Sequence, residues 1–201
     1  MDMTAILILP GLFGSGQGHW QQHWLADRPE AELLEQDDWE RPRLDSWMAK
    51  LEAALERRRE VYLVAHSLGC VLAAHLAGRP LASRVKGALL VAPCDLSPTE
   101  KLHPDRLAFG TMPTAALPFA SVTIGSLNDH YMSLDRLTLF SRLWKTDLRN
   151  IGLAGHINVA SGFGRWPGGY AFFDALRARV DRPERKPAAA ARRNAPAFST
   201  F

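Results

Sequence analysis

The segment that decides the fold is Val61–Gly69, with the sequence VYLVAHSLG. The apolar run Val61–Ala65 predicts a strand buried on both faces of a sheet. The Ala- and Leu-rich segment Leu68–Ala77 predicts a helix directly after it, closed by Gly78. Ser67 therefore lies in a tight turn between a strand and a helix. A serine at such a turn is placed as in a nucleophile elbow, where its hydroxyl stands clear of the backbone.

The turn departs from the usual elbow pattern G-x-S-x-G at one position. Ala65 replaces the first glycine, and Gly69 keeps the second. Alanine is small enough for a close approach of strand and helix. In an elbow the Leu68 N–H would point toward a developing oxyanion at the helix N-terminus. The alternative is an ordinary helix-capping serine that follows a strand.

Strands and helices alternate along the rest of the chain. The other predicted strands are Ala5–Leu9, Leu33–Leu34, Gly87–Ala92, Ser121–Ile124 and Asp147–Leu153. Helices are predicted from His19–Ala26, around Leu44–Leu55, at Leu134–Trp144 and around Tyr170–Val180. This order predicts an α/β fold with a mostly parallel six-stranded sheet flanked by helices. Ligands of such sheets bind beyond the carboxyl ends of the strands.

Two residues that follow later strands are suited to activate Ser67. Asp129 comes after the fifth predicted strand and His156 after the sixth. The order Ser, Asp, His is that of a serine nucleophile, the acid that orients the base, and the base itself. Asp95, after the fourth strand, competes with Asp129 for the role of the acid. We favour Asp129 because Gly125–Asp129 resembles the acid loop of known hydrolases.

The loop after the first strand supplies further candidates. Pro10–Leu12 occupies the position of an oxyanion loop, so the Leu12 N–H is expected to be its second donor. His19, Trp20 and His66 are possible substrate-pocket residues, although core packing is an equal alternative for Trp20. The glycine spacing fits no phosphate-binding motif, and no metal-binding motif occurs, so we expect neither a cofactor nor a metal.

The charge and the cysteine content limit the classes of function that the sequence allows. Five basic and two acidic side chains within 181–201 account for the net charge of +3, so residues 1–180 are neutral overall and predict no nucleic-acid surface. No membrane span or export signal is predicted, because Pro10 and Gly11 end the first apolar run. The two cysteines form no disulfide framework, so we expect a cytoplasmic protein with reduced thiols. Residues 1–181 are expected to form one domain, and 182–201 a disordered Pro/Ala/Arg-rich tail.

Taken together, the motifs resemble the YdeN family of small serine hydrolases, which includes a mammalian retinoblastoma-binding protein. The resemblance rests on Pro10–Gly16, His19–Trp24, Ala65–Gly69, Asn128–Asp129 and Gly155–Asn158, and extends over residues 4–180. It implies a single-domain α/β-hydrolase with little or no cap domain. His130 departs from the proline that follows the acid in many relatives.

The resemblance also implies a function. Ser67 would be the nucleophile, Asp129 the acid and His156 the base in the hydrolysis of small ester, thioester or amide substrates. The activity would be carboxylesterase-like or aminopeptidase-like. The alternative is a non-catalytic protein-binding module on a hydrolase scaffold, for which a protein partner is possible but is not indicated by the sequence. Residues 95–118 are the one segment expected to provide a small lid.

Overall fold

The computed structural model describes residues 4–182, which form one α/β domain. Six strands alternate with six helices along the chain. The strands are β1 (Ala5–Leu9), β2 (Ala31–Leu33), β3 (Val61–His66), β4 (Val85–Val91), β5 (Ala120–Gly125) and β6 (Asp147–Asn150). The helices are α1 (Trp20–Asp27), α2 (Leu44–Glu56), α3 (Leu68–Ala74), α4 (Leu96–Leu102), α5 (Leu134–Trp144) and α6 (Pro167–Val180).

All six strands belong to one sheet, in the order β2-β1-β3-β4-β5-β6. Every neighbouring pair is parallel, which confirms the predicted sheet. All carboxyl ends of the strands therefore lie along one edge. β3 is central, and its residues Val61–His66 are all buried. The loop that carries Ser67 consequently emerges in the middle of this edge.

Alternate residues of the buried strands pack into two layers. In β1, Leu7 and Leu9 face the layer that contains α2, α3 and α5. Ile6 and Ile8 face the opposite layer, where Trp20 of α1 packs together with residues of α6. This arrangement follows from the two-residue period of a strand and explains why the strands read as continuous apolar runs.

Several predicted boundaries are wrong by a few residues. β6 ends at Asn150 instead of Leu153, because Gly152 has φ +83° and its N–H bonds to the Asn150 side chain, which turns the chain out of the sheet. α3 ends at Ala74 instead of Ala77, because the N–H groups of Leu76 and Ala77 bond to carbonyls three, and not four, residues back. Gly78 therefore does not cap this helix, although it adopts a positive φ of 81°.

The segment 95–118 contains α4 and otherwise irregular chain. α4 begins after β4 and therefore lies at the carboxyl edge of the sheet. None of the helices in residues 4–182 combines the length and apolarity needed to cross a bilayer. The tail predicted for 182–201 lies outside the described residues except for its first residue.

Candidate active site

The turn after β3 holds Ser67 in a strained backbone conformation. Its φ is +53° and its ψ is −119°, a region that non-glycine residues rarely occupy. Gly69 allows the turn to sit against β1, because a Cβ there would lie 2.2 Å from the Leu9 carbonyl oxygen. Gly11 also packs closely, since a Cβ there would lie 2.7 Å from the Ser67 Cβ. The glycine of the first loop and the glycine of the elbow thus fix the serine between them.

Ser67, His156 and Asp129 form one hydrogen-bonded chain. His156 Nδ1 donates to Asp129 Oδ2 at 2.8 Å. The Ser67 hydroxyl lies 2.8 Å from His156 Nε2. Because the carboxylate must accept, Nε2 is left to accept the serine proton. The side chains of His156 and Asp129 are each only 4% exposed, so the pair is shielded from bulk water.

Asp95 does not reach this chain. Its buried Oδ2 accepts from Arg136 Nε at 2.6 Å, and the two groups form an ion pair. Its backbone N–H donates to the Tyr131 carbonyl. The two acids considered in the sequence therefore have different partners, and Asp129 is the one that contacts His156.

Side chains to which the sequence assigned no role of their own join the acid loop to the histidine loop. Asn128 Oδ1 accepts from the Gly155 N–H at 2.8 Å and from the Ser126 hydroxyl at 2.8 Å. The Ser126 oxygen in turn accepts from the Ala154 N–H at 3.0 Å. Asp129 Oδ1 accepts from the Tyr131 N–H at 2.9 Å, which orients the carboxylate. These bonds set the separation of Asp129 and His156.

His66 supports the histidine loop from the opposite side. Its Nε2 donates to the His156 backbone carbonyl at 2.9 Å, and the two rings are 4.9 Å apart. Burial, together with the nearby His156 and His19, lowers the pKa of His66 below its ordinary value. A neutral imidazole with a proton on Nε2 is the form that this contact requires.

Gln21 belongs to the motif His19–Trp24, but the sequence assigned no role to its side chain. It is fully buried in α1, and its amide nitrogen donates to the Leu9 carbonyl at 3.2 Å and to the Val64 carbonyl at 3.1 Å. Its amide oxygen accepts from the Ser15 hydroxyl. Gln21 therefore ties the glycine-rich loop and α1 to the ends of β1 and β3. A polar residue within the apolar face of a helix is the one signal in the sequence that could have revealed it.

A cavity of about 270 Å³ opens beside Ser67. Its walls come from the first loop, the elbow, α4 and the loops after β5 and β6. His103, the residue that follows α4, is one wall residue. Its Nε2 is 2.9 Å from the Tyr131 hydroxyl, and its ring meets Phe13 edge to face at 5.3 Å. The segment 95–118 thus contributes a wall of the cavity through Thr99 and His103.

The predicted pocket residues have different positions. His19 and His66 line the cavity, but Trp20 does not. Trp20 is fully buried, and its indole N–H donates to the Ile157 carbonyl at 2.9 Å, so core packing explains it. Leu12 lines the cavity. Leu68 is the first residue of α3, where a backbone N–H has no acceptor within the helix.

Two buried side chains beside the hydrogen-bonded Ser67, His156 and Asp129 are uncharged at neutral pH. His19 Nδ1 accepts from the Gln21 N–H, and burial together with nearby His156 lowers the pKa of His19 to about 4. The Cys94 thiol lies near the Ser67 and Thr99 hydroxyls, and burial raises its pKa to about 12. Cys94 is therefore a thiol at neutral pH, and it does not supply a competing thiolate. Within 4–182, no three His, Cys, Asp or Glu side chains are grouped to hold a metal.

The parallel sheet, the elbow and the loops at its carboxyl edge define an α/β-hydrolase fold. The family model described as "Serine hydrolase" matches residues 6–175, and the chain belongs to this family. It is a small serine hydrolase, and a YdeN-like hydrolase of known structure is similar to it. None of the curated proteins matches the chain.

Several solved structures are similar to this chain. A YdeN-like hydrolase from Pectobacterium atrosepticum is 29% identical with a TM-score of 0.76, over 89% of this chain and 92% of the other. The ydeN product of B. subtilis is 20% identical with a TM-score of 0.70, over 88% of this chain and 100% of the other. A thermophilic esterase from Thermogutta terrifontis is 14% identical with a TM-score of 0.65, over 92% and 86%. The last two likenesses concern the fold alone.

Proposed function

We propose that this protein hydrolyses small ester, thioester or amide substrates through an acyl-enzyme on Ser67. The observation that carries the proposal is the hydrogen-bonded chain from Ser67 through His156 to Asp129. Its order and its geometry are those needed to make a serine hydroxyl nucleophilic. The cavity beside Ser67 gives a small molecule access to the hydroxyl.

The reaction has two halves. Ser67 Oγ bonds to the substrate carbonyl carbon while His156 Nε2 takes the hydroxyl proton, and Asp129 stabilises the resulting imidazolium. The backbone N–H groups of Leu12 and Leu68 are the proposed oxyanion donors, each worth about 3–4 kcal/mol in comparable enzymes. The bond to the leaving alcohol, thiol or amine then breaks, and His156 returns its proton to that group.

Water completes the cycle. His156 removes a proton from a water molecule as the water oxygen attacks the acyl carbon. The acyl bond to Ser67 breaks, Oγ regains the proton, and the carboxylic acid leaves. No cofactor enters either half. We also propose a cytoplasmic location, which the two buried free thiols, Cys70 and Cys94, support.

Steady-state hydrolysis of 4-nitrophenyl acetate tests the proposal. Ser67→Ala should lower kcat/KM by at least about 1,000-fold, because the nucleophile and its hydrogen bond are lost together. Ser83→Ala is the matched control, since this exposed serine bonds only to the nearby Pro80 carbonyl. Equal rates for wild type and Ser67→Ala, with both proteins folded by circular dichroism, would contradict the proposal. Absence of turnover by either folded protein would favour the protein-binding alternative.

A further inference from the structure

The cavity beside Ser67 is lined without a formal charge. Among residues 4–182, its walls are apolar or carry hydroxyl, amide, phenol or imidazole groups, and no Asp, Glu, Lys or Arg side chain contributes. Asp129 lies outside the lining, and both of its oxygens already accept hydrogen bonds, from His156 and from the Tyr131 N–H. No carboxylate of the described chain is therefore available to a ligand in this cavity.

Two charged groups close in sequence to α4 are paired with residues outside the cavity. Asp95, at the start of α4, is bound to Arg136. Arg106, which follows the wall residue His103, pairs with Glu40 at 3.1 Å. Asp95 and Arg106 are therefore each offset by an opposite charge outside the cavity.

Three of the imidazoles in the walls are also held neutral. His19 accepts the Gln21 N–H, His66 donates to the His156 carbonyl, and His103 is hydrogen-bonded to the Tyr131 hydroxyl. Burial lowers the pKa of each of these three histidines below its ordinary value. At neutral pH they present dipoles, and not positive charges, to a ligand.

The mouth and the size of the cavity restrict the ligand further. Phe13 and Val159 form part of the lining and are 50% and 52% exposed, so the entrance has apolar edges. The volume of about 270 Å³ lies just under the range of about 300–1,000 Å³ that holds drug-sized ligands. A short chain fits this space better than a peptide or a long lipid.

We propose that the site takes esters of small, uncharged acyl groups and rejects acyl groups with a free α-ammonium group. The inference rests on the proposed function and assigns the protein to carboxylesterase-like, and not aminopeptidase-like, chemistry. An α-ammonium beside the scissile carbonyl would lose its water in a cavity that offers no carboxylate in return. Such an unpaired charge is costly to bury.

Two isosteric esters test this inference directly. 4-Nitrophenyl propanoate has a methyl group at the position where 4-nitrophenyl glycinate has an ammonium group. Each kcat/KM is divided by the rate constant of the same ester with hydroxide, which removes the difference in intrinsic reactivity. We expect the normalised value for the propanoate to exceed that for the glycinate by about 100-fold or more, because the ammonium is left unpaired.

A charge-switch variant sharpens the test. Gln17 lines the cavity, and Gln17→Glu adds one negative charge with almost no change in shape. This variant should raise the normalised glycinate value by about 3- to 10-fold relative to the propanoate value. Arg84→Gln is the matched control, because it lowers the net charge by the same one unit at a position just before the amino end of β4. This variant should leave the ratio of the normalised glycinate and propanoate values unchanged.

Different experimental results would overturn the neutral-substrate inference and the proposed function. Comparable normalised values for the two esters, or a preference for the glycinate, would overturn the neutral-substrate inference alone, provided that Ser67→Ala abolishes both rates. Labelling of Ser67 by a fluorophosphonate without turnover of the propanoate would also overturn it. Ester hydrolysis that survives Ser67→Ala would contradict the proposed function itself.

Discussion

Asp129 and Asp95 follow neighbouring strands at the same edge of the sheet, yet only one of them contacts His156. Asp129 reaches the imidazole at 2.8 Å, whereas Asp95 is held by Arg136. The difference arises from contacts across the loops, since Tyr131 orients Asp129 through its N–H and accepts the Asp95 N–H through its carbonyl. The identity of the acid therefore depends on positions distant in the chain.

Isosteric substitution of each acid separates their roles. Asp129→Asn should lower kcat for a 4-nitrophenyl ester by about 10⁴-fold, because the amide stabilises the wrong His156 tautomer. Asp95→Asn removes an equal charge and should change kcat by less than about 10-fold. Steady-state kinetics of both variants provide the measurement. A larger loss in Asp95→Asn than in Asp129→Asn would reverse the assignment.

His19 makes stability depend on pH in a defined direction. Its folded pKa of about 4 lies below the ordinary value of 6.5, so the unfolded state binds the proton more readily. Stability is therefore complete above about pH 6.5 and is lost as the pH falls toward 4, by about 2 kcal/mol between pH 7 and pH 5. His66, whose pKa is also lowered, acts in the same direction.

Urea denaturation at pH 7 and pH 5 measures this loss. His19→Asn keeps a side chain that can cap α1 and removes the titrating group. The variant should lose less stability than wild type between the two pH values, by roughly the His19 contribution of about 2 kcal/mol. An equal loss in both proteins would show that His19 is not held neutral.

At the scale of elements, the contact between α3 and the end of β1 determines the elbow. The backbone oxygens of Leu9 and Pro10 would lie 2.2 and 2.6 Å from a Cβ on Gly69, and backbone atoms cannot yield as a flexible side chain does. Gly69→Ala should therefore lower the free energy of unfolding by about 2–4 kcal/mol. Gly164→Ala is the control, because its nearest atom would be at an ordinary 3.6 Å. Similar urea midpoints for the two variants would contradict this packing.

The sequence predicted which segments form strands and helices better than it predicted the residues at which these elements end. Periodicity located α5 at Leu134–Trp144 and β1 at Ala5–Leu9 with the bounds that the structure has. It missed the ends of β6 and α3, where Gly152 and the N–H groups after Ala74 change their partners. The hydrogen bonds at the ends of strands and helices depend on neighbouring loops, so the pattern of apolar residues does not predict them well.

In the site, too, some features could be predicted from the sequence and others could not. Ser67, Asp129 and His156 could be proposed from their places after strands, because parallel strands bring their carboxyl ends to one edge. Gln21 and Asn128 were missed as supporting groups, since their partners are backbone atoms of other loops. Trp20 was considered for the pocket, but long-range packing buries it in the core.

At the scale of the whole molecule, residues 4–182 contain all the contacts of the site described above. The end of α6 is tied to the sheet, since the Tyr62 hydroxyl donates to Asp181 at 2.8 Å and Lys86 pairs with the same carboxylate. A chain truncated after Arg182 keeps these contacts. We expect its kcat/KM on a 4-nitrophenyl ester to stay within about twofold of the full chain, because the walls described above all lie within residues 4–182. A loss of more than 10-fold in a folded protein would assign the tail a part in catalysis.

The central claim is that the fold activates the Ser67 hydroxyl. Intact-protein mass spectrometry after treatment with a fluorophosphonate tests it most directly, because this reagent bonds to a serine oxygen only where the oxygen is nucleophilic. We expect a single adduct on the wild-type protein, located at Ser67, and none on Ser67→Ala. Folded wild-type protein without an adduct, or an equal adduct on both proteins, would contradict it.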